Sequence, residues 1–327
     1  MTVGGALILY ATAVGLAGAA GFRRAVWPLR APRLGAAAVL AAAWSVPVAF
    51  VLAGVTIILP PSALFTDVGQ LIGACLVRLR AAYGTPAGAG LVTAGQVFSL
   101  AMLGRLLWAV GRVAHRRHAQ RRRLRLLVRL AGGHRPGLPA VVLDHPGPAA
   151  YSVAGRHPAV VVTRGAVDLL TGPQLGAVLA HERAHLSRRH HRWTLAALLV
   201  AEAMPLVPLL RDAPARVGRL LEMDADERAA DHHEPRVLAS ALVAVTSAGR
   251  PACQVADRPR RPAPASAGPQ AAFTGAGADA LARVQRIMRP PDRLTRSRMA
   301  LARTAVVALT VAPLVLATAP ALATLLP

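Results

Sequence analysis

The strongest constraint on the fold is a set of long apolar runs. Thr2 to Gly21 carries no charge, Leu34 to Leu59 tolerates Pro47 inside it, Ala89 to Val110 has only Arg105 near one end, and Thr304 to Leu326 is free of charge. A run of about 20 apolar residues is long enough to cross the hydrocarbon core of a bilayer as a helix. Lipid offers no partner for backbone N–H and C=O groups, so such runs must satisfy them internally. The expected fold is therefore a mainly α integral membrane protein with about four transmembrane helices. The first run is not read as a signal peptide, because no basic residue precedes it.

Arginines set the expected orientation. Arg23, Arg24, Arg30 and Arg33 follow the first run, Arg112 to Arg129 is crowded with arginine, and Arg293, Arg296, Arg298 and Arg303 precede the fourth. The segment from Pro61 to Gly88 has only Arg78, Arg80 and Asp67. By the positive-inside rule, the N-terminus lies outside and residues 112–303 lie in the cytoplasm. That segment holds the expected outer-loop helix over Val68–Leu79 and a turn-rich link over Tyr83–Gly90. All the Lys/Arg positions are arginine and none is lysine, a coding bias that makes the extreme pI of about 11.9 say less about partners than it would otherwise. The arginines border the apolar runs without a nucleic-acid-binding motif, so no direct contact with nucleic acid is expected. The expected setting is a multi-pass protein of the bacterial cytoplasmic membrane.

The chemistry is concentrated in Ala180-His181-Glu182-Arg183-Ala184-His185. On a helix, residues i and i+4 share a face, so His181 and His185 can present two imidazoles to one metal ion. Glu182 stands beside that face, where a carboxylate can hold the attacking water and take its proton. Thr171-Gly172-Pro173-Gln174 has the form of a capping box with proline in the first turn. Leu175, Val178 and Leu179 then supply the spacing of a buried face. Downstream, Glu222-Met223-Asp224-Ala225-Asp226 opens a second polar helical segment, in which Glu222 is the candidate third ligand. Three protein ligands with an open position mark catalytic zinc, whereas structural zinc is closed by four. Cys75 and Cys253 are too few and too far apart for a cysteine-based site, and no disulfide is expected.

His181-Glu182-x-x-His185 followed by Glu222-x-x-Ala225-Asp226-x-x-Ala229 resembles the gluzincin membrane peptidases. The nearer resemblance is to antirepressor metallopeptidases of the BlaR/MecR type, the more distant one to HtpX-like proteases. It implies one Zn2+ per chain held by His181, His185 and Glu222. It also implies Glu182 as general base and Asp226 as the carboxylate that orients a ligand. The implied fold is a cytoplasmic α+β gluzincin-type zinc-peptidase domain attached to the membrane helices. One departure stands out: the family often has aspartate five residues after the second histidine, and this chain has His190. Sensor members carry a penicillin-binding domain beyond their last span. The sequence stops at Pro327 without one, so direct sensing of a β-lactam is not expected.

The resulting organisation is a membrane region at 1–111, a zinc-peptidase domain at 112–249, a Pro/Ala-rich linker at 250–277, a juxtamembrane helix at 278–303 and a final span at 304–327. Within the peptidase domain, Ala140–Leu143, Tyr151–Arg156 and Ala159–Thr163 read as a small sheet. In the family resembled, the edge of such a sheet can align an extended substrate. Thr194 to Leu210 reads as an embedded or tightly packed helix returning to the side it left, since a full crossing would part Glu222 from His181. His190 and His191 read as a basic helix end facing the membrane. Asp224 and Glu227 read as an exposed charged face, and Arg228, His232, His233 and Tyr151 are four candidates to stabilise an oxyanion.

The functional expectation is a zinc-dependent endopeptidase acting on a protein or peptide, with a cytoplasmic transcriptional repressor as the substrate the resemblance suggests. A quality-control protease of HtpX-like type is the alternative within the enzymes. A non-catalytic membrane signalling scaffold is the alternative from another class. The sequence leaves oligomeric state open.

Overall fold

The computed structural model describes residues 3–58, 86–134, 138–155, 158–248 and 277–323. The expected outer-loop helix at Val68–Leu79, the linker stretch Pro251–Gln270 and both cysteines lie outside them. In chain order the elements are α1 (Val3–Arg24), α2 (Trp27–Arg30), α3 (Pro32–Ile58), α4 (Pro86–Ala131), β1 (Gly132–His134), β2 (Val141–Leu143), β3 (Ala150–Val153) and β4 (Ala159–Thr163). There follow α5 (Arg164–Leu169), α6 (Gly172–Ser187), α7 (His190–Ala203), α8 (Pro208–Ala230), α9 (Pro235–Ala248), α10 (Gly277–Met288) and α11 (Arg296–Ala323).

These elements gather into two compact units. The first comprises Met1–Ala114, Thr194–Gly218 and Leu294–Pro327, the second His115–Trp193 and Arg219–Arg293. Among the described residues, four helices are long and apolar enough to cross a membrane: α1, α3, the Thr93–Ala119 part of α4, and α11.

In the first unit, α1, α3 and α11 pack on one another through small side chains. Leu7, Ala11 and Ala19 of α1 and Ala36, Val39, Ala42, Ala43 and Val46 of α3 are buried. Small residues let helix backbones approach closely, which is how helices associate where no hydrophobic effect separates them from lipid. Gly35 is a close approach of α3 to α2, where a Cβ would lie 2.6 Å from Pro28 Cβ and 2.8 Å from its Cα. Outward-facing leucines and valines such as Leu100, Leu107, Leu301, Val307 and Leu314 give α4 and α11 an exposed apolar surface. That surface suits contact with lipid.

Arg105, near one end of the third apolar run, caps a helix. Its Nε donates to Ala203 O at 3.0 Å and its Nη2 to Glu202 O at 3.2 Å. The last carbonyls of α7 lack intrahelical partners, and a guanidinium there satisfies them. Arg112 adds an ion pair with the Glu202 carboxylate at 2.9 Å.

The second unit is built on a four-stranded sheet of order β1-β2-β4-β3. β2 and β4 run parallel in the register Val141↔Val161, while β1 and β3 pair antiparallel with their neighbours. Gly132–His134, outside the three segments that read as a sheet, forms the edge strand β1. Val160 and Val162 of β4 pack with Val178 and Leu179 of α6 and with Ala241 and Val245 of α9, so the core sits between sheet and helices. β4 passes directly into α5 at Thr163, whose hydroxyl accepts from Ala166 N and from Ala149 N. Gly165 admits no side chain, because a Cβ there would fall 1.9 Å from Pro146 O.

Candidate metal centre

α6 starts as its capping sequence requires: Thr171 N donates to Gln174 Oε1 at 3.0 Å, and Gln174 Nε2 donates onward to Ser240 Oγ of α9 at 2.9 Å. With the helix so fixed and Val178 and Leu179 in the core, the residues one turn on are carried inward. His181 is 2% exposed and Glu182 3%.

The chain then leaves α6, turns at Arg188–Arg189 and runs out along α7. α7 has 14 residues, and at about 1.5 Å per residue it spans roughly 21 Å. His190 at the start of α7 meets Asp224 late in α8 at 2.9 Å. The end of α8 brings Glu222 to His181.

His181 Nε2 and His185 Nε2 are 3.1 Å apart. Glu222 Oε2 lies 3.4 Å from the first, and Glu222 Oε1 lies 3.5 Å from the second. Bonds of about 2.0–2.2 Å at tetrahedral angles place ligand atoms roughly 3.3–3.5 Å apart. Among the described residues this is the one group of three or more such side chains gathered within ligand distance. The donor set and its spacing thus fit a zinc ion with an open fourth position.

Asp226, one turn beyond Glu222, lies with Oδ1 3.0 Å from His181 Nδ1. It is itself gripped by Arg283 of α10, whose Nε and Nη2 donate to its two oxygens at 2.8 and 2.7 Å. Arg283 Nη1 also reaches Glu222 Oε2 at 3.1 Å. α10 is held along its length by further pairs, Arg219 with Asp279 at 3.3 Å and Arg286 with Glu227. Val284 and Ile287 seat it against Ala177, Leu238 and Leu242, while Leu281 and Met288 stay exposed.

Sequence reasoning missed Arg283. It lies 57 residues from Asp226, on a short amphipathic helix where arginine reads as an ordinary solvated charge. Two other expectations are corrected. His190 is 3% exposed rather than at a membrane-facing helix end, and Asp224 is 5% exposed rather than on a charged face. Glu227 is half exposed. Arg228 pairs with Asp231 on the surface at 3.1 Å, and Tyr151 is buried in β3.

Burial and charge set the protonation of the site. Burial raises Glu182 to about 7, with the His181 charge opposing and the Glu222 charge reinforcing it. The side chain of Ser152 on β3 also opposes the rise. Burial lowers His185 to about 3 against the pull of Glu222. Burial would lower His181 too, but hydrogen bonds to Asp226 and Glu222 outweigh it and lift it to about 10. Glu222 and Asp226 are both pulled below the usual carboxylate range despite burial, chiefly by their hydrogen bonds to His181 and Arg283. Two carboxylates facing the histidine nitrogens thus favour a positive charge between them, which is what a cation site needs.

Residues 114–212 match the model of peptidase family M48. M48 is a family of zinc metallopeptidases, and the match supports a metallopeptidase in this part of the chain. It takes in His181, Glu182 and His185 and ends before Glu222. The match is to M48 as a whole and does not reach the BlaR/MecR-type or HtpX-like groups. No curated protein and no solved structure matches the chain.

Proposed function

We propose that the chain is a membrane-embedded zinc endopeptidase that cuts a cytoplasmic or membrane protein, in a regulatory role. The observation that carries this is the convergence of His181, His185 and Glu222 at metal-ligand spacing, with Glu182 next in sequence to the first ligand. His181, His185 and Glu222 would hold the ion, which when bound polarises a scissile carbonyl and acidifies water. Glu182 then takes the proton from the attacking water and passes it to the leaving amine. Its raised pKa suits both halves of that task, since a shuttle works best near the operating pH. Asp226 accepts from His181 Nδ1–H and keeps Nε2 free to ligate.

β3 supports a peptide substrate. It is one of the two edge strands of its sheet, packs on α6, and carries Ser152, whose side chain acts on Glu182. An extended peptide can add to such an edge by main-chain hydrogen bonds, with side chains alternating. The substrate enters on the cytoplasmic side by the arginine distribution, and a transcriptional repressor is the candidate that the resemblance suggests.

The test is zinc per chain in detergent-purified protein, wild type beside His185→Ala and Glu222→Ala. About one zinc in wild type, lost in both variants, is expected of a three-ligand site. A folded wild type without zinc would overturn the proposal. Reporter fusions in the 61–85 segment and near residue 260 check the orientation, and the same side for both would overturn it.

A further inference from the structure

His190 and Asp224 lie behind the metal centre, too far back to ligate, yet each is buried against it. His185 turns Nε2 towards His181 and Glu222, so Nδ1 is the nitrogen facing away, and it lies 3.0 Å from His190 Nδ1. The far nitrogen of His190, Nε2, lies 2.9 Å from Asp224 Oδ2. The two rings meet edge to face, with centroids 4.9 Å apart at 86°.

The local chain explains the arrangement. α6 ends at Ser187, and Arg189 adopts φ 55, the left-handed region that reverses the chain sharply. His190, first in α7, is thereby laid back against the helix that carries His185. On α8, Asp224 is two residues from both Glu222 and Asp226. At about 100° per residue it points roughly 200° away from Glu222, towards α7 rather than the ligand face. One helix thus supports both histidines: Asp226 behind His181 directly, Asp224 behind His185 through an intervening imidazole. Arg188 Nη1, 3.7 Å from Asp224 Oδ1, stands beside the end of the chain.

Hydrogen-bond roles follow from what each atom can do. A neutral imidazole has one N–H and one lone pair, and a carboxylate only accepts. If His185 gives its Nε2 lone pair to a metal, its proton is on Nδ1, and that nitrogen donates. His190 Nδ1 must then accept, which leaves the His190 proton on Nε2, facing Asp224. Each assignment fixes the next, and the carboxylate ends the chain.

We propose that His190 and Asp224 form a two-step positioning relay that holds His185 in its Nδ1–H tautomer and aims Nε2 at the ion. The proposal rests on the zinc-peptidase reading. Neither residue touches substrate, so both act through His185. Groups of this kind typically alter metal affinity by 10- to 100-fold.

The test uses the full-length chain in detergent: wild type, His190→Leu and His190→Gln. Zinc affinity is measured by competition with a chelator. Leucine fills the space but can neither accept nor donate, so zinc binding is expected to weaken about 10- to 100-fold. Glutamine offers an acceptor oxygen and a donor nitrogen in the same order, so it is expected to recover most of the loss. Nitrogen-15 histidine spectra of zinc-loaded wild type should show His185 protonated at Nδ1 and His190 protonated at Nε2. Wild-type affinity in His190→Leu would overturn the relay, as would a His190 proton on Nδ1 in loaded wild type. The spectrum needs no variant, so failure of the leucine form to fold does not shield the proposal. Absence of zinc from wild type is a separate result, and it would remove the peptidase reading itself.

Discussion

The two units of this molecule are held together by opposite means. In the first, the buried side chains of α1 and α3 are mostly alanine, valine and leucine, and among the described residues its one buried polar side chain is Ser45. In the second, His181, Glu182, His190, Asp224, Asp226 and Arg283 are all buried and all engaged. A helix cluster of the first kind depends on shape, because small residues must stay small for the backbones to meet. A cluster of the second kind depends on completeness, since a buried charge left without its partner costs far more than the pair contributes. Function goes with the second kind. Catalysis needs ionisable groups out of water, and their pairing keeps them there.

The comparison is broken most directly at Glu182. Glu182→Gln should lower peptide cleavage about 10²- to 10⁴-fold while zinc content is unchanged. Loss of zinc in that variant would make Glu182 part of the metal set instead. In the zinc-free chain the same change tests the sign of the pKa shift. Glu182 is raised from 4.5 to about 7, so the native state keeps that proton longer than the unfolded chain does. Stability is then full below about pH 4.5 and is lost as pH rises through about 7. Glu182→Gln should therefore melt above wild type at pH 8 and close to it at pH 4. A constant gap would show that burial does not govern this carboxyl.

Next in size is Arg283→Ala, which takes the guanidinium away from buried Asp226 and is expected to cost about 3–5 kcal/mol. Thermal melting with and without zinc reads it. A change within experimental error would mean that α10 contributes little to the second unit. Gly35→Ala probes the other side of the comparison. Its new methyl would meet Pro28 at 2.6 Å, and overpacking of this kind costs about 1–3 kcal/mol. Zinc content should not change, and a fall in zinc would show that the packing and the site are coupled. Smallest is Arg228→Ala, which removes an exposed pair with Asp231. It should shift stability by no more than about 0.5 kcal/mol, and a larger loss would give Arg228 a role the geometry does not show.

Zinc uptake itself sharpens the electrostatic picture. His181 is raised by two carboxylates, so it carries a proton that a metal must displace. At pH 8, about one proton should be released per zinc bound, and apparent affinity should rise with pH. Calorimetry in buffers of different ionisation heat measures this. No release would mean that His181 is already neutral.

Periodicity and local chemistry carried much of the reading. Apolar runs of spanning length, the cap at Thr171 and the His181–His185 spacing are all properties of neighbours along the chain, and each left its pattern in the residues. What pattern could not convey was pairing at a distance. Nothing about Asp224 distinguishes it from Glu227, two acidic residues of one turn. Yet one is buried on a histidine and the other is half exposed beside Arg286. The strand β1 left no such pattern, because Gly132-Gly133-His134 has no β signature of its own and is a strand only through pairing with β2.

By itself, the sequence determined which segments are apolar enough to span a membrane and which helix carries two imidazoles and a carboxylate on adjoining positions. Those are consequences of helical periodicity and side-chain chemistry, which act within a few residues. Only the tertiary structure decided that Arg283 crosses to Asp226, that His190 folds back on His185, and that α8 serves both histidines from different faces. Such contacts join residues tens of positions apart. They are set by how α6, α7, α8 and α10 pack, and no local pattern encodes them.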